Sequence, residues 1–327
     1  MAMTSEQRYD RYTKVIEKYL RAYIQEQKPH TLYDPAQYVL AAGGKRIRPV
    51  LVLLACEAVG GNSAEALHAA AGIEILHNFT LVHDDIMDHA VSRRGRQTIH
   101  KKWDENIAIL TGDALLALAY RALLQTKSSR IQEITKIFTE GVITVCEGQT
   151  YDKEFETRHR VHVNEYLMMI EKKTGKLVSI STQIGALLGN ASAPAMEALR
   201  KYGEHVGRAF QIQDDLLDVI ADEKEFGKTI GGDLIEGKKT FLLLEALRLA
   251  KGKEKAMLQR VFTQGGVPKE QIAVYRDIYE STGAVDSARR RIAEDIEQAK
   301  KELTVLPETP VRETLLWLTD KLLRRTY

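Results

Sequence analysis

The stretch ENIAILTGDALLALAYRALLQ, residues 105–125, decides the fold. Its apolar residues recur at helical spacing, and almost every face of the resulting helix is apolar, the signature of a helix enclosed by other helices. Working outward, residues 65–89 read the same way, as do VGRAFQIQDDLLDVI (206–220) and TFLLLEALRLAKG (240–252). Residues 50–193 contain no proline to break such helices. Strand-like alternation is scarce, and β-branched residues are not grouped into short runs bounded by turns. The loop signals are short: GGNS at 60–63, GNASAP at 189–194, QGGVPKE at 264–270 and LPETP at 306–310. A chain of 327 residues has the length for two domains. It shows neither a flexible linker nor a repeat of solenoid period. The expectation is therefore an all-α chain forming a single domain over residues 1–327.

Composition narrows the function. Lys+Arg 47 against Asp+Glu 45 leaves a net charge of +2, which makes no electrostatic case for nucleic acid or an anionic membrane. Any anion must be met by local basic clusters. Cys56 and Cys146 lie in apolar helical contexts without metal-ligand spacing, and the start MAMTSEQRYDRY is polar, so a reducing cytoplasm is the expected location. No run of about eighteen apolar residues is evident, which predicts no transmembrane segment.

Charge of both signs is concentrated in LVHDDIMDHAVSRRG, residues 81–95. Asp84, Asp85 and Asp88 form a DDxxD motif. Asp84 and Asp88 are four apart and share a helix face, with Asp85 beside them. Carboxylates this close repel unless a cation neutralises them. Mg²⁺ suits the role, because it takes carboxylate oxygens while keeping waters and substrate phosphates as its other ligands. A solvated acidic helix end would account for one such cluster. The pattern, however, recurs in QIQDDLLD as Asp214, Asp215 and Asp218. Both clusters close an apolar helical run at its C-terminal side, where the helix dipole disfavours negative charge. Two unfavourably placed clusters point to a metal site between helices. His77, His83, His89 and His100 crowd the first cluster but lack the spacing of HExxH, which argues against zinc. His77, seven residues before Asp84, shares its face and is placed to donate to a phosphate.

Basic segments complement the aspartates. GGKRIRP sets Lys45, Arg46 and Arg48 after a glycine pair; it lacks the spacing of a P-loop, but its cations suit phosphate. SRRG adds Arg93 and Arg94, EKKTGK adds Lys173 and Thr174, and FGKTIGGDLIEGKKT adds Lys228, Asp233 and Lys238. Surface lysines are common, and any one of these residues alone would be an ordinary structural one. Together with two DDxxD motifs they describe a site where metals bridge carboxylates to a diphosphate and cations cover its remaining oxygens.

GGKRIRP, LVHDDIMD, RRGRQTIH, ILTGDALL, EKKTGKL, FQIQDDLLD and GKTIGGDLIEGKKT, in that order over about residues 40–245, resemble the trans-isoprenyl diphosphate synthases. DDIMD without inserted residues, preceded by LHNFTLVH, is most similar to the archaeal-type geranylgeranyl diphosphate synthases within that family. The resemblance implies a helical bundle around a deep central cavity, usually in a homodimer. It implies condensation of isopentenyl diphosphate with dimethylallyl, geranyl or farnesyl diphosphate. Asp84, Asp85, Asp88, Asp214 and Asp218 would hold Mg²⁺ on the allylic diphosphate, with Asp215 in support. Arg93, Lys173, Thr174, Lys228 and Lys238 would contact the same diphosphate. Lys45, Arg48, His77 and Arg94 would bind isopentenyl diphosphate, and Gln149, Asp152 and Gln211 would line the site. The sequence departs from the family in two places: Gln97 stands where proline is common, and the usual proline after KKT is missing.

The implied chemistry needs no protein nucleophile, in keeping with the lack of a Ser/His/Asp or Cys/His grouping. A terpene cyclase also ionises a diphosphate, but it has no use for a second-substrate site such as GGKRIRP with Arg94. A catalytically silent partner subunit would typically lose aspartates from one cluster, and both are intact. For product length, the family places bulky residues just upstream of the first aspartates. Here Phe79 is the fifth residue upstream and Thr80 the smaller fourth. One aromatic implies geranylgeranyl diphosphate, with a farnesyl or bifunctional farnesyl/geranylgeranyl synthase as the alternative.

Overall fold

Long apolar-faced segments without internal breakers become long helices. The computed structural model describes residues 3–24, 27–220 and 231–323. In chain order the helices are α1 (Ser5–Tyr23), α2 (His30–Leu40), α3 (Ile47–Ala58), α4 (Leu67–Met87), α5 (Ile99–Lys102), α6 (Glu105–Leu124), α7 (Ile131–Thr157), α8 (Val163–Ile170), α9 (Lys176–Leu188), α10 (Ala193–Ile220), α11 (Gly232–Ile235), α12 (Phe241–Leu249), α13 (Gly252–Gln264), α14 (Ile272–Ser281), α15 (Ala284–Glu302) and α16 (Pro310–Leu323). The expected all-α class holds among the described residues. The exception is a two-residue hairpin, β1 (Ser92–Arg93) with β2 (Arg96–Gln97), in the register Ser92 to Gln97 and Arg93 to Arg96. Arg94 and Gly95 turn it with positive φ at both positions, as a two-residue hairpin of this twist requires.

The chain divides into two compact units, each assembled from separated segments. Residues 1–139, 180–200 and 305–317 form the first; residues 140–179, 201–304 and 318–327 form the second. In the first unit α4 packs along α6, which buries Ala108, Leu115, Leu118, Ala119, Ala122 and Leu123. Close approach is enforced where no side chain fits: a Cβ on Gly72 would stand 3.0 Å from the Ala119 carbonyl. The second unit is built on a core that includes Phe155, Tyr166, Met169, Ile212, Leu216, Phe241, Leu242, Tyr275 and Tyr279.

Helix α6 is long and apolar enough, by length and composition, to cross a membrane. Thr111, Asp113 and Arg121 interrupt any strictly apolar run in it, and its buried face is that of a core helix packed on α4.

Candidate active site

In the first unit, helix α4 carries Asp84 and Asp85 in its last turn and ends at Asp88, whose N–H closes on the Asp84 carbonyl at 2.8 Å. Asp84 and Asp88 are partly exposed, whereas Asp85 is only 6 % exposed. Its Oδ1 accepts from Arg93 Nε at 2.6 Å. Burial pushes the Asp85 carboxyl up from its usual range, against the opposing pull of Arg93. The hairpin thus bends the chain back so that Arg93 closes on the motif it follows.

Arg94, at the turn of that hairpin, reaches the glycine pair. Its guanidinium donates to the Gly43 carbonyl, and a Cβ on Gly44 would meet that guanidinium at 3.0 Å. The glycines of GGKRIRP therefore admit Arg94 as well as turning the chain. The cations of that segment then part company. Arg46, in the left-handed region at φ 50°, turns inward and pairs with buried Glu74 at 2.5 Å while also donating to the Leu40 carbonyl at 2.9 Å. Lys45 stays exposed, and Arg48 lies 3.3 Å from His77 Nε2. Burial first, then the charges of Arg48, Arg94, Arg93 and Arg46, hold the His77 pKa well below its ordinary value, so the ring is neutral. Three residues expected to bind one diphosphate, Arg48, His77 and Arg94, are thereby gathered in one basic neighbourhood.

Above this, Phe79 is buried, and its ring meets His83 edge-on at 4.8 Å between centroids. His83 occupies the space that a Cβ on Gly112 of α6 would fill, 2.0 Å from its Nε2. Thr80 turns its hydroxyl to the His77 carbonyl at 2.8 Å.

In the second unit the segment EKKTG forms a turn of π-helix, Glu171–Gly175, between α8 and α9. Such single turns often mark functional positions. The bulge is accommodated by Gly148 of α7, where a Cβ would stand 2.3 Å from the Lys173 amide nitrogen. Lys173 Nζ then reaches Asp152 at 2.5 Å, and Thr174 donates to Gln211 Oε1 at 2.8 Å. Asp214, Asp215 and Asp218 occupy the last turns of α10. As in the first motif, the outer two are partly exposed and the middle one is buried.

Asp215 is held from three sides. Tyr166 of α8 donates to its Oδ2 at 2.5 Å, the Phe241 N–H reaches the same oxygen at 3.1 Å, and Gln211 Nε2 donates to Oδ1 at 3.1 Å. Burial nevertheless raises its pKa to about 6. Asp218 accepts from the Asp233 N–H at 3.1 Å, drawing the GGDLIEGKKT segment onto the motif. Burial, followed by the charges of Asp218 and Asp215, pushes the Asp233 carboxyl up to about 8. The paired lysines diverge. Lys238 lies 2.9 Å from Glu236 and 3.8 Å from Asp233, while buried Lys239 donates to the Glu156 carbonyl at the end of α7. Asp152, Tyr166, Lys173, Thr174, Gln211, Asp215, Asp233 and Lys238 line a polar cavity of about 110 Å³.

The expected residues thus fall into two sets, one per unit: Lys45, Arg48, His77, Asp84, Asp85, Asp88, Arg93 and Arg94 in the first, Gln149, Asp152, Lys173, Thr174, Gln211, Asp214, Asp215, Asp218 and Lys238 in the second. Lys228 lies outside the described residues. Among those described, no group of three or more His, Cys, Asp or Glu is gathered closely enough to cage a metal alone. The donor chemistry still suits Mg²⁺, which binds through one or two carboxylates plus phosphate oxygens and waters. The partly exposed outer aspartates of each motif are such donors. Tyr166 escaped the sequence reading. A tyrosine seven residues before Lys173 carries no distinctive spacing, and its role shows only once α8 and α10 are packed.

Comparison with known proteins gives a consistent set of relatives. The polyprenyl synthetase family profile matches residues 29–303. A geranylgeranyl pyrophosphate synthase of Geoglobus acetivorans is 41% identical over 330 residues, covering 99% of this chain and 100% of the relative. A short chain isoprenyl diphosphate synthase of Methanothermobacter thermautotrophicus is 38% identical, covering 97% of each. The crystal structure of geranylgeranyl pyrophosphate synthetase from Pyrococcus horikoshii superposes with a TM-score of 0.93 at 36% identity, covering 98% of this chain and 99% of that one.

Proposed function

Since this chain belongs to the polyprenyl synthetase family, we propose the following division of labour for it as a prenyltransferase that makes geranylgeranyl diphosphate. It condenses isopentenyl diphosphate with allylic diphosphates. The observation that carries this reading is that each aspartate motif has its own cationic company: Arg48, Arg93 and Arg94 with the first, beside neutral His77, and Lys173 and Lys238 with the second. Arg93, Lys173 and Lys238 suffice for one metal-bound diphosphate; Arg48 and Arg94, gathered at His77, are left for a second.

Asp84, Asp85 and Asp88, with Asp214 and Asp218, hold Mg²⁺ on the allylic diphosphate. Asp85 is steadied by Arg93 and Asp215 by Tyr166 and Gln211. Bound Mg²⁺ supplies charge stabilisation for the departing diphosphate. Arg93, Lys173, Thr174, Lys228 and Lys238 contact that leaving group, and fixed donors of this kind lower the barrier because they favour the charge that develops. Gln149, Asp152 and Gln211 line the site. Lys45, Arg48, neutral His77 and Arg94 hold the diphosphate of isopentenyl diphosphate, so that its alkene attacks the allylic carbon as the C–O bond breaks. Proton loss to the released diphosphate completes the new double bond. Apolar helix faces keep water from the cation.

The two units interleave along the chain, which supports one cooperative domain over residues 1–327 rather than two separable ones. Cys56 and Cys146, thiols rather than a disulfide, support a reducing, cytoplasmic setting. A homodimer is supported by the exposed apolar residues Ile109, Leu110 and Leu124 of α6.

Incubation with isopentenyl diphosphate and each of dimethylallyl, geranyl and farnesyl diphosphate, followed by mass spectrometry, should show a twenty-carbon product. Excess EDTA should abolish turnover and added Mg²⁺ restore it. Release of diphosphate from an allylic substrate alone, with no chain extension, would instead mark a cyclase.

A further inference from the structure

We infer that Tyr166 is a positioning residue for the condensation, acting through Asp215 to fix the second aspartate motif against the segment that bears Lys238. Tyr166 is 2% exposed, Asp215 is 4% exposed, and the bond between them is short at 2.5 Å, as expected of a hydroxyl donating to a carboxylate. A carboxylate offers about four acceptor positions. Here Tyr166, the Phe241 N–H and Gln211 occupy three of them from within the protein. The carboxylate therefore acts as a bracket. It joins α8, the last turns of α10 and the first residue of α12, which directly follows Lys238–Lys239–Thr240. Asp214 and Asp218 flank the bracket on the same helix. Without the phenol, Oδ2 would keep only the Phe241 N–H, and the side chain would be free to swing toward the ligands its neighbours hold. Position 241 sharpens the point: a proline there would have no N–H to give, whereas Phe241 donates to Asp215 at 3.1 Å.

The inference rests on the proposed assignment of the second motif to the allylic diphosphate, so the test carries its own control. Tyr166→Phe, Asp215→Asn, the double variant and Phe241→Pro are compared with the unaltered protein. Farnesyl diphosphate, isopentenyl diphosphate and Mg²⁺ are varied in turn, and thermal melts are recorded without metal. Tyr166→Phe should raise the farnesyl diphosphate KM and the half-saturating Mg²⁺ concentration about tenfold, the scale of one hydrogen bond to a charged group. The isopentenyl diphosphate KM should stay put. Phe241→Pro, allowed at the first position of a helix, should shift the same two quantities in the same direction but less. The double variant should be no worse than Asp215→Asn alone, because Tyr166 acts only through that carboxylate. Additive effects, or equal changes in both substrate KM values, would overturn the proposal. So would a Tyr166→Phe protein that fails to fold while Phe241→Pro leaves both quantities unchanged. Asp214→Ala separates the two levels: if it alters neither farnesyl diphosphate KM nor Mg²⁺ dependence, it is the assignment of the motif that fails.

Discussion

At the scale of single residues, neighbours in sequence are sorted into different tasks by the direction their side chains take. Lys45, Arg46 and Arg48 look alike as letters. Arg46 is spent on Glu74, with the two side chains 2% and 3% exposed. Removing either partner would strand a buried charge, so the pair belongs to folding rather than binding. The surviving division of cations predicts a kinetic signature. Arg94→Ala should raise the KM for isopentenyl diphosphate with little change for the allylic substrate, while Lys238→Ala should do the reverse. Steady-state kinetics with each substrate varied in turn will check this, and a swapped pattern would show the two diphosphate sites assigned backwards. Charge type and spacing made the two aspartate motifs and their cations legible in the sequence. Direction was not legible, because it depends on contacts from distant segments. Nothing local says that Asp85 meets Arg93, that Lys239 turns to the end of α7, or that Tyr166 backs Asp215.

At the scale of elements, helical periodicity sufficed for the long helices: the apolar stretch 105–125 becomes Glu105–Leu124 almost residue for residue. It failed for short elements whose stability comes from neighbours. The β1–β2 hairpin has two residues per strand, too few to alternate, and the π turn at Glu171–Gly175 exists because Gly148 leaves room for it. Helix α4 carries the prediction about product length. Phe79 lies one turn before His83, and His83 rests over Gly112, just ahead of the aspartates. Truncating Phe79 to Ala opens space for several methylenes. Phe79→Ala should therefore yield chains beyond twenty carbons, and Thr80→Phe should shift the product toward fifteen, both read by mass spectrometry of the extracted diphosphates. An unchanged spectrum from a folded, active Phe79→Ala protein would place the floor elsewhere.

At the scale of the whole molecule, stability and association make separate predictions. Within the second unit, Asp295 of α15 accepts from Arg208 at 2.9 Å, from His205 at 3.0 Å and from Arg291 at 3.1 Å. Burial alone would raise its pKa, but the His205 and Arg208 hydrogen bonds and the charges of Arg208 and Arg291 prevail and lower it to about 2. A carboxyl depressed on folding contributes stability that is fully present above its unfolded value and is lost as pH falls through its folded one. Here that is roughly 2 kcal/mol, fading between about pH 4 and pH 2. Urea denaturation of the unaltered protein and Asp295→Asn should differ most above pH 4 and converge toward pH 2; a gap that widens on acidification would refute the account. Association turns on α6. Leu110, Ala117 and Leu124 recur every seven residues on one exposed face, with Leu110 54% and Leu124 57% exposed. The same helix has the length and composition to cross a membrane, but its opposite face is committed to α4. A two-fold pairing of the exposed face with a second copy would bury the stripe. Sedimentation should therefore show a dimer that Leu110→Glu with Leu124→Glu converts to monomers. A protein that sediments as a monomer before substitution, or that leaves solution with phospholipid vesicles until these leucines are changed, would assign the face to another use.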